Sequence, residues 1–149
     1  MSEKTDPLHS DAVQLGYRAV PHTHETEEER HLGAPALQLD LLEELRALRA
    51  SEPFQARGHG AKTLAKNPDL RVVLMAFERG RRLEQHHAPG RVTIHVLEGH
   101  MVLKVGEQSI ELRSGGLLVL APHVSHDVEA VQPSAILLSI AWPGASKGA

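Results

Sequence analysis

The sequence predicts a mainly β domain, an antiparallel sandwich or barrel, preceded by one amphipathic helix. Three observations carry that prediction. Short apolar and β-branched runs recur from residue 61 to residue 142, separated by turn signals at Asn67-Pro68-Asp69, Gly80, Pro89-Gly90, Gly99, Gly106, Gly115-Gly116 and Gln132-Pro133. No stretch with helical spacing interrupts them, so no crossover helix is available to join parallel strands. Within the series Val92, Ile94 and Val96 alternate with Thr93 and His95, which puts the apolar set on one inward face.

Residues 1–34 hold few large apolar side chains and read as a disordered acidic tail. There PHTHETEEERH mixes His22, His24 and His31 with four glutamates. His22 and His24 could catch a stray divalent ion, but a solvated tail is the simpler reading. Residues 35–58 form a helical arm. Asp40 precedes Leu41 and Leu42 with Glu43 three positions on, an Asp version of the capping box. Leu41, Leu45 and Leu48, flanked by Leu42, make an apolar stripe. Glu43 and Glu44 in the first turn and Arg46 and Arg49 in the last suit the helix dipole, and Pro53 is expected to stop the helix. A lone short helix is marginal in water, so these leucines must dock on the barrel or on a partner.

Residues 59–143 make the barrel, with strands expected near 61–66, 70–78, 82–88, 91–97, 100–105, 108–113, 117–121, 124–131 and 135–142, and 144–149 is a flexible C-terminus. The last strand, SAILLSIAW, is apolar enough to lie centrally or against another subunit.

The 149 residues suit one domain. With no cysteine there is neither a disulfide framework nor a thiolate metal site. No apolar run reaches the roughly 18 residues of a membrane span and no signal-peptide core follows the N-terminus, so a cytoplasmic protein is expected. A net charge of -3 without a basic stripe argues against nucleic-acid binding. Residues 1–52 carry a net -6 and residues 53–149 a net +3, so the acidic front and the barrel should attract each other, in one chain or across a dimer.

Two histidine-bearing segments give the chain its identity. Gly80, five residues and His86, then Pro89-Gly90 and Val96-Leu97-Glu98-Gly99, are followed about forty residues after His86 by Gly115 through Val124-Ser125-His126. This pattern resembles the cupin family of small antiparallel jelly-roll barrels over about residues 60–142. The family's first motif is Gly, five residues, His-x-His, three or four residues, Glu, six residues, Gly. Its second is Gly, five residues, Pro-x-Gly, two residues, His. Ala88 stands where the second His belongs and Val92 where the Glu belongs, while Ala121 takes the Pro position and His123 the Gly position.

The resemblance implies a site inside the roll, where three His and one Glu of the family hold a divalent metal. Here His86 and His126 keep their places. They are expected to converge in the cavity as metal ligands, acid/base groups or substrate contacts. Glu84, if it faces inward, would complete a two-His, one-carboxylate set suited to iron or manganese. Strict alternation puts Glu84, His86 and Ala88 on one face and Leu83, Gln85 and His87 on the other, so His87 joins only if a β-bulge re-aims it. His95 faces outward by the same rule, and His100 and His123 read as strand-edge and turn residues. Val92, Ile94, Val96, Leu118, Leu120 and Val128 should line the cavity.

Nucleophile elbows, phosphate-binding glycine loops and His-Glu-x-x-His are missing from the sequence. The resemblance also implies a homodimer. The preferred reading is a barrel that binds a small organic molecule and holds, at most loosely, one divalent metal (Fe, Mn, Ni or Zn), without an organic cofactor. Two alternatives stand beside it: a metal-dependent dioxygenase- or isomerase-type enzyme, and a regulatory barrel acting through its N-terminal arm.

Overall fold

A computed structural model describes residues 35–142, the side chains of Gln85 and His86 excepted. The acidic segment with His22, His24 and His31 and the C-terminal 144–149 lie outside the described residues.

Two short helices lead into nine strands. Helix α1 (Leu41–Ala50) starts where Asp40 accepts hydrogen bonds from the N–H groups of Leu42 and Glu43 at 3.0 and 3.2 Å. Glu43 accepts from Arg46 Nη1 at 3.3 Å. The helix ends at Ala50, before Pro53, and a second helix, α2 (Glu52–Arg57), begins at once. Ser51 makes both possible. Its N–H donates to Leu48 O at 3.1 Å, closing α1, and its Oγ accepts from Phe54 N at 3.4 Å, capping α2. Pro53 sits in the first turn of α2, where no N–H is required, so it starts a helix where the sequence reading has it end one.

The strands are β1 (His59–Lys66), β2 (Leu70–Phe77), β3 (Arg82–His86), β4 (Arg91–Glu98), β5 (His100–Val105), β6 (Gln108–Arg113), β7 (Leu117–Leu120), β8 (His126–Ala130) and β9 (Ser134–Ala141). They form two sheets, β1-β2-β9-β4-β7 and β3-β8-β5-β6, in which every pairing is antiparallel. The mainly β class and the rolled antiparallel architecture are as the turn spacing predicts. The final strand lies centrally, between β2 and β4.

Alternation sorts the side chains. On β2, Val73, Met75 and Phe77 enter the core between the sheets, where they meet Ile94, Met101 and Leu103. Leu74 and Ala76 face the other way and pack with Leu45, Leu48, Phe54 and Leu64 beneath the helices. The leucine stripe of α1 is therefore satisfied within the chain, on the outer face of the five-stranded sheet. Two ion pairs flank it, Lys62 Nζ to Glu44 Oε1 at 2.7 Å and Arg49 Nη1 to Glu98 Oε1 at 3.0 Å. Their senses are opposite, so the contact is not a simple match of acidic arm to basic barrel.

Gly99 closes the first motif for a steric reason. Its φ is +96°, and a Cβ there would run into Ser134 Oγ and the Pro133 carbonyl.

The docking of α1 is testable by urea unfolding. Leu45 is 2% exposed and Leu42 66% exposed. Leu45→Ala should therefore lower stability by about 2–4 kcal/mol, while Leu42→Ala stays within about 0.5 kcal/mol of the parent.

Candidate functional site

Chain connections place one end of the roll apart from the other. Residues 87–90 carry β3 into β4 and 121–125 carry β7 into β8, both crossing between the sheets at the same end. His123 N donates to Ala88 O at 2.7 Å and ties the two crossings together. His123 has φ +68°, the left-handed region, at the position the cupin motif gives to glycine. The exposed rings of His87 and His123 lie 6.5 Å apart on this rim.

Register then fixes what lies beneath the rim. Along β3 and β8, Arg82 is opposite Glu129, Leu83 opposite Val128, and His86 opposite His126. Three steps on β3 match two on β8, so a bulge absorbs one residue between Leu83 and His86. Directly opposed residues share a sheet face. Val128 and His126 are both buried, and Leu83 packs against the same core. The register shift between Leu83 and His86 breaks strict alternation along β3. The bulge is the physical reason for the difference. His86 and His126, about forty residues apart in the sequence, are neighbours in the sheet.

His126 is 3% exposed, and its Nδ1 lies 3.2 Å from the Val124 carbonyl oxygen. A carbonyl only accepts, so Nδ1 carries the proton of the neutral ring and Nε2 the lone pair. Nε2 is buried, and the residue makes a further interaction within the chain.

The other sequence candidates are distributed as follows. Glu84 and His87 are exposed. Val92, Ile94, Val96, Leu120 and Val128 are buried in the core between the sheets, and Leu118 packs against it. His95 is opposite Leu137 and Leu117, outside the roll. His100 Nε2 meets Glu111 Oε1 at 2.9 Å. A pocket of about 360 Å³ opens at the same end, walled by 104–106 and 124–127, with His126 among its lining residues. That volume is at the lower end of the range for small-ligand sites.

A divalent metal does not fit the residues at the four motif positions. Ala88 and Val92, both buried, carry no donor atom. Two imidazoles remain, where catalytic zinc takes three protein ligands and non-haem iron two histidines and a carboxylate.

Sequence reasoning missed two residues of this end. Arg71, 3% exposed, lies on β2 at even spacing from Val73, Met75 and Phe77, hence on the inner face. It is opposite Lys66 on one side and Ile140 on the other, and Ile140 is opposite Val92. Thr63, 5% exposed, is opposite Val73 one layer deeper. The signal was present in LRVVLMAF, a strand with one cation in register with its apolar set.

Comparison with known proteins agrees with the geometry. Residues 73–140 match the family Cupin_2, described as a cupin domain. A cupin 2 conserved barrel domain protein from Leptotrichia buccalis superposes with TM-score 0.58 at 26% identity, covering 65% of this chain and 45% of its own. A conserved protein of unknown function from Streptococcus pyogenes gives TM-score 0.58 at 20% identity over 86% of this chain and 100% of its own. KdgF from Halomonas sp. gives 0.54 at 24% identity, over 59% of this chain and 83% of its own. No curated protein matches.

The left-handed residue on the rim yields a prediction of sign. Replacing a side chain at positive φ by glycine relieves about 1–2 kcal/mol of backbone strain against a smaller entropic loss. His123→Gly should raise stability by about 0.5–1 kcal/mol in urea unfolding.

Proposed function

We propose that this barrel, whose residues 73–140 match a cupin-domain model, binds a small organic molecule at the end where His86 and His126 stand opposite each other on β3 and β8, and that it does so without a resident metal. The pairing is the observation that carries this reading: two motif histidines opposed across β3 and β8, one of them buried at a pocket of ligand size. The pocket sets Val105 and Val124 beside Lys104, Ser125, His126 and Asp127, so apolar area and polar direction are both at hand. The hydrogen bond from His126 Nδ1 to Val124 O holds the ring in one tautomer. An imidazole at this position offers a bound molecule a polar contact and, in a second reading, a general base.

The metal-dependent dioxygenase or isomerase reading has less support, because Ala88 and Val92 stand where two ligands are needed. The regulatory-arm reading is weakened by the docking of Leu45 and Leu48 on the barrel's own outer face, which leaves α1 little apolar surface to offer.

Elemental analysis of protein purified without an affinity tag decides between binding module and metalloenzyme. Iron, manganese, nickel and zinc should each fall well below one per chain. A stoichiometric metal that disappears in His126→Ala would replace this reading with the enzyme. In parallel, thermal unfolding against a library of small polar organics should yield stabilising compounds whose effect is lost in His126→Gln.

A further inference from the structure

The outer face of the five-stranded sheet is sealed over one half only. Over β1 and β2, Leu45, Leu48 and Phe54 close on Leu64, Leu74 and Ala76. Over β7, Leu117 and Val119 stay 59% and 51% exposed. Leu118 and Leu120 of that strand turn toward the core, so Leu117 and Val119 point outward. Their rows continue across the sheet. Leu117 is opposite His95, which is opposite Leu137, and Val119 is opposite Thr93, which is opposite Ser139. These six side chains form a floor that holds no Asp, Glu, Lys or Arg.

Helix α1 walls the floor on one side. Leu42 and Arg49 are seven residues apart and share a face of the helix. Arg49 Nη1 reaches Glu98 Oε1 on β4 at 3.0 Å, so Leu42 lies on the flank that overlooks β4. Leu42, Leu117 and Val119 are the three most exposed large apolar side chains among the described residues, and all border this one corner.

Size and position select the occupant. Three strands by four residues make a floor of about 200 Å². A stable interface between separate molecules takes about 800 Å² from each. A segment tethered beside the floor needs far less, because its effective concentration is in the millimolar range. The chain enters α1 at this face, where Leu39 and Leu41 pack against the same outer cluster as Leu97 and Leu137. Thirty-four residues precede Pro35, and in DAVQLGYRAV (11–20) Val13, Leu15 and Tyr17 recur at every second position. Residues 1–34 carry seven acidic side chains against three lysines and arginines. Beside the floor Arg91 is exposed, while Glu98 is taken by Arg49.

We propose that residues 11–20 of this same chain dock in the corner between α1 and β7, laying Val13, Leu15 and Tyr17 on Leu117 and Val119 beside the Leu42 flank. The seventeen residues between Tyr17 and Pro35 span about 50 Å when extended, against a floor about 15 Å wide. Docking withdraws from water an apolar patch on an edge strand, a surface that otherwise invites another molecule. The corner is on the outer face, so the proposal stands apart from the small-molecule reading.

Tyr17 is the single tyrosine of the chain, so nitration by tetranitromethane reads this segment alone. In the full chain Tyr17 should nitrate about tenfold more slowly than in Leu15→Asp, a change that leaves the barrel untouched. Leu117→Asp, at an exposed position of the floor, should raise the rate to the Leu15→Asp level. Val131→Asp, exposed on the turn before β9, should keep the parent rate. Equal rates in the parent and Leu15→Asp would overturn the proposal, whether or not Leu117→Asp disturbs the sheet. So would protection that survives Leu117→Asp in a folded variant. Sedimentation velocity identifies the rival occupant: a dimer that Leu117→Asp breaks, with Tyr17 reactive throughout, would give the corner to a second copy. Protection that disappears on dilution would also overturn the proposal, by placing the segment on another molecule.

Discussion

The register between β3 and β8 is the constraint on which the mouth of the barrel depends. Side chains alternate with a period of two, so a slip of one residue along β3 would pull Leu83 out of the core. Leu83 opposite Val128 opposes such a slip, since burying a leucine is worth about 1.5–3 kcal/mol. The bulge reconciles that apolar anchor with the pairing of His86 and His126 two steps further along. Beyond it, the bond from His123 N to Ala88 O holds the two crossing loops together, so the strand ends cannot move apart independently. The price is one non-glycine residue in the left-handed region, a form of local strain that folds keep where geometry over-determines it.

The opposite face of the five-stranded sheet is settled by different means. Leu45, Leu48 and Phe54 cover Leu64, Leu74 and Ala76, and this burial, with apolar area removed from water on both sides, outweighs the two partly exposed ion pairs beside it. Covering the outside matters for the inside. With α1 and α2 packed on β1 and β2, the strands that present Thr63, Lys66 and Arg71 are held from behind.

Much of this was legible in the sequence because it depends on local signals. Turn residues marked all nine strands to within a few positions, and alternation put Val92, Ile94 and Val96 inside. Motif spacing singled out His86 and His126, whose backbones stand opposite each other on β3 and β8. What stayed hidden has one physical origin. A bulge inserts a residue without changing composition, so alternation alone could not give the register of β3 beyond Leu83, nor that of Lys66 opposite Arg71 after the bulge between Thr63 and Ala65. Pro53 illustrates the same limit, since proline ends one helix or opens the next depending on whether a cap such as Ser51 precedes it. Arg71 was overlooked because an arginine at a strand end is ordinarily solvent-facing, and only its even spacing from Val73 marked it as inward.

The departures from the cupin motif and the inward arginine make sense together. Val92, at the position of the family's glutamate, lies in the same register row as Arg71 with only Ile140 between them. Two strand spacings put their backbones about 10 Å apart. A carboxylate at residue 92 would attract the guanidinium across that gap by about 1–2 kcal/mol at an effective dielectric near 20, and a metal ion held there would be repelled by at least as much. With valine at 92 that row holds no carboxylate, while Arg71 and Lys66 contribute positive charge.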